Sequence, residues 1–578
     1  MAREIHYEIF SRRGSKGGWR LIDIKHDREE ALKFAHDTLT DGATGVKVVK
    51  ETYNDETGDY LSLKIFEDGL NKIKTKPAQE DVPHALPCFK PDDLHSYYAR
   101  QTIARLIPEY LARNKITVTE LCHRADMLEK LEATGTLLQH AIQKVAVAQA
   151  ASTTTPVQQI IKSLNELTTK AFHRVYRDSR NLTFPSVQCG EFGALATKLA
   201  GQPNGIYVLN GALARMLADA KGWDEKVFRL ISLMDEAPQE GPGGQLLISA
   251  IDTIIAEILG GSAALQDLIG KKDNLGAALM SLVQLFLGHE PDVADGERQG
   301  LISLTHRIAK DELPEARTAI ASRITAEFKS VKRLYPESLF EEFKTLRQIA
   351  NRVVLGVGKY LSHEDLITAF TLRSRRLITH ETLGEHLADA ATPDEKLERL
   401  LFVEENIIGI ENKRQLATFV TPIITSPAFE NYFHSPKIPV IVRLQRLAAL
   451  HARVRYSNFQ ENQRAEFADL LDRLASGVES GAKLLESIEA KTVSHVEKAC
   501  MILKLFTAET FTEGRLSAKA REQIVTYLSK PGFLTGYVAQ MPATAEDKLD
   551  AGAAMAELMQ TLERAGITQE TGLKSIAA

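Results

Sequence analysis

The first 69 residues alternate between apolar and polar positions with a period of two, which is typical of half-buried β-strands. Two hairpins are predicted: HYEIF and WRLIDI flank the glycine-rich stretch SRRGSKGG, and VKVVKETY and YLSLKIF flank NDETGD. Between the hairpins, Asp27 and Glu30 have the spacing of a capping box at the start of a helix, REEALKFAHDTL. The pattern therefore predicts a small α+β domain with the order ββαββ.

The period changes to that of α-helices after residues 70–92, a proline-containing segment that predicts a linker. From Asp93 onward, apolar residues recur at steps of three and four. Between residues 125 and 148 the steps alternate as in a heptad repeat, at Leu128, Leu131, Gly135, Leu138, Ile142 and Val145. This stripe predicts a long helix that pairs with the apolar helix after residue 156 as an antiparallel hairpin. The same stripe also allows a homodimer.

One short phrase occurs twice in the helical part, and a looser copy follows. The copies are LADAKGWDEK at 217–226, LADAATPDEK at 387–396 and SIEAKTVSHVEK at 487–498. The aligned glutamates are Glu225, Glu395 and Glu497, and three residues before them stand Gly222, Thr392 and Ser494. A hydroxyl residue followed by glutamate at this spacing is a capping box. We therefore expect Thr392 with Glu395 and Ser494 with Glu497 to cap helices, with Glu225 as their counterpart.

A further helix is expected to close each copy near Leu265, Phe429 and Phe533. A poorer fourth copy is placed around Glu315. The resulting intervals are uneven, which argues against a short-period solenoid and favours a tandem of diverged helical units.

At 578 residues the chain is too long for one hydrophobic core, so several units are expected. The predicted fold class is mainly α, with the N-terminal ββαββ domain followed by a multi-unit helical bundle or irregular α-repeat body. The predicted divisions are the small domain at 1–69, the linker at 70–92, a long helical hairpin at 93–185, and helical units at 186–290, 291–436 and 437–578.

The composition adds mainly exclusions. With 44% hydrophobic residues, 25% charged residues and a net charge of -5, the chain has no overall positive field to hold a polyanion. Its four cysteines are widely spaced without a metal-ligand pattern, which favours a reducing cytoplasm. The N-terminus lacks the apolar core of a signal peptide, and the most apolar stretch, residues 246–261, is interrupted by Asp252 and Glu257. We expect a cytoplasmic protein without membrane insertion.

The first candidate contact site is the loop of the first hairpin. It carries Arg12, Arg13 and Lys16 beside Trp19. Cationic side chains next to an aromatic ring can bind a phosphate or a nucleic-acid base. Alternatively, the loop is a solvated hairpin tip and Trp19 packs into the core of the small sheet.

The second candidate is the predicted helix at 439–456, on which Arg443, Arg446 and Arg453 share one side, opposite an apolar face. Such a stripe contacts an acidic surface of the same protein or of a partner more often than a nucleic acid. The expected partners are therefore proteins, and nucleic acid is not expected.

Two strings resemble catalytic motifs without meeting their chemistry. HETLGEH places His380 and His386 six residues apart rather than four, so the two rings point to different sides of a helix and predict no metal site. GPGGQ at 241–245 lacks the lysine of a phosphate-binding loop and predicts a turn between helices. No catalytic residue, cofactor or metal ligand is predicted.

These patterns favour a non-catalytic scaffold or regulatory protein whose helical body and small domain bind partner proteins. One alternative is a sensor with a pocket between helices for a small anionic metabolite or nucleotide. Another is an enzyme whose reactive residues come together only in the folded chain.

Overall fold

The computed structural model of the chain describes residues 5–12, 19–40, 43, 45–54, 59–68, 85–290, 298–540 and 551–568. Within these residues the chain forms one four-stranded sheet and 28 α-helices, which confirms the predicted fold class. The chain divides into two compact units. The N-terminal unit comprises residues 1–102 and 134–171, and the body comprises residues 103–133 and 172–578.

The sheet of the N-terminal unit has the predicted ββαββ order. Its elements are β1 Ile5–Arg12, β2 Arg20–Lys25, α1 Arg28–Thr40, β3 Gly45–Asn54 and β4 Asp59–Asp68. The strands lie in the order β2-β1-β3-β4, and all neighbours are antiparallel. The two hairpins are therefore joined along β1 and β3.

Helix α1 covers one face of this sheet. The small core between helix and sheet consists of Ile9, Ala31, Ala35, Val46 and Val48. The N-terminus of α1 is capped by Asp27, whose Oδ1 accepts the N–H groups of Glu29 and Glu30 at 2.8 and 3.0 Å. The predicted helix start is thus confirmed, because the cap is a local feature of the sequence.

The remaining helices extend from residue 91 to residue 564. A 3-10 helix at Pro91–His95 is followed by α2 Tyr97–Leu106, α3 Pro108–Asn114, α4 Val118–Leu121, α5 Ala125–Ala133, α6 Leu137–Ala151, α7 Val157–Arg180, α8 Phe192–Leu199, α9 Gly205–Met216, α10 Trp223–Met234, α11 Pro242–Gly260, α12 Ser262–Ile269, α13 Leu275–Phe286, α14 Gln299–Ala309 and α15 Pro314–Lys329. Next come α16 Leu339–Val353, a 3-10 helix at Val354–Gly356, α17 His363–Leu377, α18 His380–Leu387, α19 Pro393–Asn406, α20 Ile410–Ile424, α21 Pro427–His434, α22 Val440–Tyr456, α23 Glu461–Ala482, α24 Leu484–Glu489, α25 His495–Thr507, α26 Arg515–Leu528, α27 Phe533–Gln540 and α28 Ala551–Arg564.

The predicted linker at 70–92 falls largely outside the described residues, which resume at residue 85. Its last two residues, Pro91 and Asp92, belong to the first 3-10 helix.

The prediction of one continuous heptad helix over 125–148 is wrong. Helix α5 ends at Ala133 and α6 begins at Leu137. Gly135 lies between them with a φ of 67°, in the left-handed region that an α-helix does not use. The apolar steps of three and four continue through this break, so periodicity alone cannot reveal it.

The repeated phrase marks equivalent turns between helices. In each copy one helix precedes the turn and another follows it: α9 and α10, α18 and α19, α24 and α25. The second helix is longer than the first in the later two copies, and both have 12 residues in the first copy. Each copy then closes with a helix of eight residues, α12, α21 or α27. The expected anchor residues Leu265, Phe429 and Phe533 are all buried.

The proposed fourth copy does not match this arrangement. Glu315 is the second residue of α15, whereas the aligned glutamates are each the third residue of their helix. Its carboxylate accepts the hydroxyl of Thr253 in α11 at 2.9 Å instead of a backbone N–H group.

Helix α11 lies in the core of the body. Among the described residues it is the one helix long and apolar enough to cross a membrane, and 67% of its most apolar window is buried inside the protein. The glycines of GPGGQ fit the close packing of its first turn. A Cβ on Gly244 would lie 2.1 Å from the carbonyl oxygen of Pro238, and one on Gly243 would lie 2.7 Å from Cα of Thr197 in α8. The string is thus a packing site at a helix start.

Candidate interaction surfaces

Several carboxylates of the body hold helix ends together. In each case a carboxylate on one helix accepts backbone N–H groups from the first turn of another, an arrangement called here a cross-helix cap. Three of these caps are Asp224 of α10 with Gly300 and Leu301 of α14, Asp252 of α11 with Glu315 and Ala316 of α15, and Asp472 of α23 with Arg515 of α26. Their oxygen to nitrogen distances lie between 2.7 and 3.1 Å.

Several arginines bind the opposite helix ends. Arg373 of α17 donates to the carbonyl oxygens of Glu327 and Phe328 at the C-terminus of α15, at 2.9 and 3.2 Å, and to that of Lys332 in the following turn at 2.7 Å. Carbonyl groups at this end have no partner within the helix, so a buried guanidinium satisfies them and matches the helix dipole. Burial lowers the pKa of Arg373, although Glu342 counteracts this.

The predicted arginine stripe on α22 is bound within the body. Arg443 is buried and donates to the carbonyl oxygen of Phe433 at 2.8 Å, at the end of α21. Arg446 contacts Asp394 at 3.1 Å, and Arg453 contacts Glu405 at 2.9 Å. The three arginines of the stripe thus contact acidic side chains and a carbonyl oxygen of the same protein.

The predicted caps have different outcomes. Ser494 and Glu497 form the capping box: the serine hydroxyl accepts the N–H of Glu497 at 3.2 Å, and the glutamate accepts the N–H of Ser494 at 2.9 Å. Thr392 is the N-cap residue of α19, as predicted, but its side chain makes no cap bond, so the predicted capping box is not formed there.

Glu225 and Glu395 bind helix starts in a shared way that sequence alone did not predict. Glu225 accepts the N–H of Lys221 at 2.8 Å and pairs with Arg229, which donates to the carbonyl oxygen of Met216 at 3.0 Å. The same network, 170 positions later, consists of Glu395, Ala391, Arg399 and His386, with distances of 2.8, 2.8 and 2.7 Å. The accepted backbone N–H is the largest factor that lowers the pKa of each glutamate.

Lys226 forms a buried ion pair that has no counterpart in the second copy. Its ammonium lies 2.5 Å from the carboxylate of Glu120 and also donates to the carbonyl oxygen of Lys115 at 2.6 Å. Both charged side chains are almost completely buried. Burial lowers the pKa of Lys226, whereas Glu120 favours its charged form. Lys396, at the equivalent position, is exposed.

A second polar cluster surrounds Tyr207 in the body. The phenol donates to Asp178 at 3.1 Å, and the guanidinium of Arg174 lies 3.9 Å from the ring centroid. The ring of His123 is 4.8 Å from the same ring, and its Nδ1 is 2.7 Å from the carbonyl oxygen of Thr119. Burial, and then the charge of Asp178, raise the pKa of Tyr207. These contacts tie α4, α7 and α9 together.

The two histidines of HETLGEH have different surroundings. His380 is exposed beside Phe419, with ring centroids 4.7 Å apart. His386 is buried between Phe343 and Phe402, and burial lowers its pKa. No group of three metal-binding side chains occurs within the residues that the structure describes.

Among the cross-helix caps, burial raises the pKa of the Asp252 carboxyl group to about 6.

Of the predicted basic loop in the N-terminal unit, Arg13 and Lys16 lie outside the described residues. Trp19 is half-buried and is not part of the α1 core. Instead, the ammonium of Lys47 lies over two rings, 5.3 Å from the centroid of Trp19 and 4.5 Å from that of Phe10. Arg12 ends β1, two residues after Phe10.

These side chains belong to the sheet face opposite α1. Side chains alternate along a strand, and directly paired residues share a face, so the register assigns this face. On the described strands it comprises His6, Glu8, Phe10, Arg12, Leu21, Ile24, Lys47, Val49 and Glu51, and the contact of Lys47 with Trp19 adds that ring. Leu21 and Ile24, on the edge strand β2, are 48% and 43% exposed.

A second surface of the N-terminal unit lies at residues 86–98, called here the aromatic segment. Phe89 is 85% exposed, and Leu86, Tyr97 and Tyr98 are each more than half exposed. A turn fixes the backbone at Phe89, because Oδ2 of Asp93 accepts the N–H groups of Phe89 and Lys90 at 2.8 and 3.1 Å. These bonds also lower the pKa of Asp93.

The start of the aromatic segment is tied to α6. Gln149 is buried and donates to the carbonyl oxygens of Ala85 and Leu86 at 3.1 and 3.4 Å. The aromatic rings are thus presented on a fixed backbone. Sequence reasoning missed this surface because the prolines around Phe89 indicated a linker, and the signal that can reveal it is the density of large apolar residues without helical or strand periodicity.

No protein-family model matches this chain, and neither does any curated protein or any solved structure.

Proposed function

We propose that this protein is a non-catalytic, cytoplasmic scaffold that binds partner proteins through its N-terminal unit and its helical body. The observation that carries the proposal is the aromatic segment. Large rings on a fixed backbone are the side chains that contribute most to protein interfaces, because they bury a large area at a small entropic cost. The aromatic segment exposes four large apolar side chains, Leu86 and three aromatic rings, within thirteen residues. Single exposed apolar residues are common on protein surfaces, whereas a group of this kind is typical of an interaction site.

The polar groups of the body support the same proposal. The buried side chains of Asp252, Asp472, Arg373 and Arg443 bind helix ends. The interior is a continuous apolar core of the described residues from Phe192 to Ile567. These groups are therefore engaged in holding helices together. The four cysteines are free thiols, as suits a reducing compartment.

The test replaces Phe89 in the full chain with a photoreactive phenylalanine analogue and irradiates cells of the native host. We expect one defined protein adduct, because a ring at position 89 would lie inside the interface. Tyr456, which is 87% exposed in the body, is the matched control for the analogue, since both side chains are equally accessible.

Tyr97→Ala with Tyr98→Ala, in the chain labelled at position 89, is expected to reduce the adduct by at least about fivefold. The same adducts from positions 89 and 456, or none from position 89, would contradict the proposal.

A further inference from the structure

We propose that the second copy of the repeated phrase forms a docking site for a partner protein, which occupies it with a capped helix start that carries a glutamate. The site consists of the exposed residues His380, Glu381 and Gly384 of α18 and Lys396 of α19, called here the second-copy face. The inference rests on the proposed function, in which the body binds partner proteins. It uses no residue of the aromatic segment.

The first reason is that the equivalent positions of the first copy are buried. Counted 170 residues earlier in the chain, they are Asn210, Gly211 and Ala214 of α9 and Lys226 of α10. All four are buried, whereas all four residues of the second-copy face are exposed. The two copies therefore differ at one surface, which is covered in the first copy and accessible in the second.

The groups that cover the first copy come from the same chain. Helix α4 packs on α9, and its Glu120 pairs with Lys226 at 2.5 Å. The ring of Phe184 fills the space above Gly211, where a Cβ would lie 2.1 Å from the ring. In the second copy, a Cβ on Gly384 would meet no heavy atom from outside its own helix within 4 Å. Space that the first copy fills from within the chain is thus free in the second copy.

The second reason is the state of the lysine in each copy. Lys226 donates to the carbonyl oxygen of Lys115 at 2.6 Å, in addition to its pair with Glu120. Lys498 of the third copy donates to the carbonyl oxygen of Glu489, also at 2.6 Å. Within the described residues, the side chain of Lys396 forms no hydrogen bond and no ion pair. Of the three lysines, only Lys396 is both exposed and without an acceptor.

The chemistry of the occupant follows from α4. Thr117 and Glu120 form a capping box, in which Glu120 accepts the N–H of Thr117 at 2.9 Å. The same carboxylate pairs with Lys226, so it closes its own helix start and binds the neighbouring helix. The exposed ammonium of Lys396 is complementary to a carboxylate presented in this way, because the two would form a charge-assisted hydrogen bond.

The acidic residues of the face set a second requirement for the partner. Glu385, on the same helix as Glu381, is already paired with Arg333 at 3.1 Å. Glu381 forms no ion pair among the described residues, and it stands where Gly211 meets Phe184 in the first copy. A partner should therefore place a basic side chain over Glu381, in contrast to the aromatic ring that covers the first copy.

The test selects peptides on the immobilised full chain. The probe is a displayed library of residues 113–126, the segment that contains α4, with positions 117–121 randomised and Cys122→Ser to prevent disulfides. The wild-type chain should enrich glutamate at position 120, with serine or threonine at position 117. The enriched residues report the chemistry of the site, whatever the natural partner is.

The decisive comparison uses the Lys396→Glu chain. It should enrich lysine or arginine at position 120 instead of glutamate, because like charges would otherwise meet. With the enriched peptide in solution, Lys396→Glu should weaken binding by at least about tenfold, and Glu120→Lys in the peptide should recover the affinity within about threefold.

Two further variants complete the experiment. Lys396→Met removes the charge alone, so it should abolish the preference at position 120 without reversing it. Lys437→Glu is the matched control, since Lys437 is also exposed and unpaired among the described residues, and it should leave the selection unchanged. All variants should keep the thermal midpoint of the wild type by circular dichroism, because both lysines are exposed.

Two results would overturn the inference: no enrichment of glutamate at position 120 on the wild-type chain, or the same enriched residue on the wild-type and Lys396→Glu chains. The selection does not involve Phe89, and the photo-adduct at position 89 does not involve Lys396. This inference and the test of the proposed function can therefore fail separately.

Discussion

The first two copies of the repeated phrase use the same bonds at their centre and different ones around it. In both, a glutamate accepts a backbone N–H group before the helix and pairs with an arginine one turn later. That arginine then binds a carbonyl oxygen of the preceding helix. All four positions of the network recur 170 residues later in the chain, so the shared sequence specifies one local turn.

The flanking residues depend on their neighbours. Asp224 caps α14, whereas its counterpart Asp394 pairs with Arg446. Lys226 is buried against Glu120, whereas Lys396 is exposed. Met216 is replaced by the buried ring of His386 in the second copy. The residues shared by the two copies therefore form the same turn. The surrounding helices determine which contacts the other side chains make.

The largest difference in stability between the first two copies should come from replacing their equivalent lysines, Lys226 and Lys396. Lys226→Met leaves Glu120 charged and buried without its partner, which should lower the free energy of unfolding by about 3–5 kcal/mol. Lys396→Met removes an exposed charge and should change it by less than about 0.5 kcal/mol. Urea unfolding of both variants measures the contrast.

The double variant Lys226→Met with Glu120→Gln should recover part of the loss, because no uncompensated charge remains. Equal effects of the two lysine variants would contradict the buried pair.

A smaller difference should separate the caps of the second and third copies. Ser494→Ala removes a cap bond and should lower the free energy of unfolding by about 1 kcal/mol. Thr392→Ala removes no cap bond and should cost about half as much or less. The same urea experiment decides between them, and a larger loss from Thr392 would restore the original prediction for that residue.

The smallest effect concerns pH. Burial, and then Arg399, lower the pKa of His386 below its value in the unfolded chain. The unfolded chain therefore binds more protons just below pH 6.5, and stability falls as the pH decreases through this range. His386→Met, which copies Met216, should make the thermal midpoint less sensitive to acid. A midpoint with unchanged pH dependence would show that another group is responsible.

What the sequence predicted correctly was local. The capping box at Ser494 and the cap of α1 by Asp27 involve residues two or three apart, and both are confirmed. The cross-helix cap of Asp224 joins residues 76 positions apart, and no local pattern specifies such a pair. The same limit applies to Arg443, whose partner is a carbonyl oxygen.

The candidate surfaces were predicted only in part. Trp19 and Arg12 were identified as contact residues, and their face of the sheet follows from strand alternation once the register is known. Phe89 and its neighbours were not identified, because their placement depends on a turn closed by Asp93 and on two bonds from Gln149 to the carbonyl oxygens of Leu86 and Ala85, which are 63 and 64 residues away from it.

The cross-helix caps make the helices of the body depend on one another for their stability. If α14 opened alone, the carboxylate of Asp224 would lose both of its donors, so α10 would be weakened at the same moment. Opening events should therefore involve blocks of helices instead of single ones. The first-turn amide hydrogens of α14, α15 and α26 should therefore exchange with water at the same rates as those of the helices that carry Asp224, Asp252 and Asp472. Each cap would then join two helices into one cooperative unit.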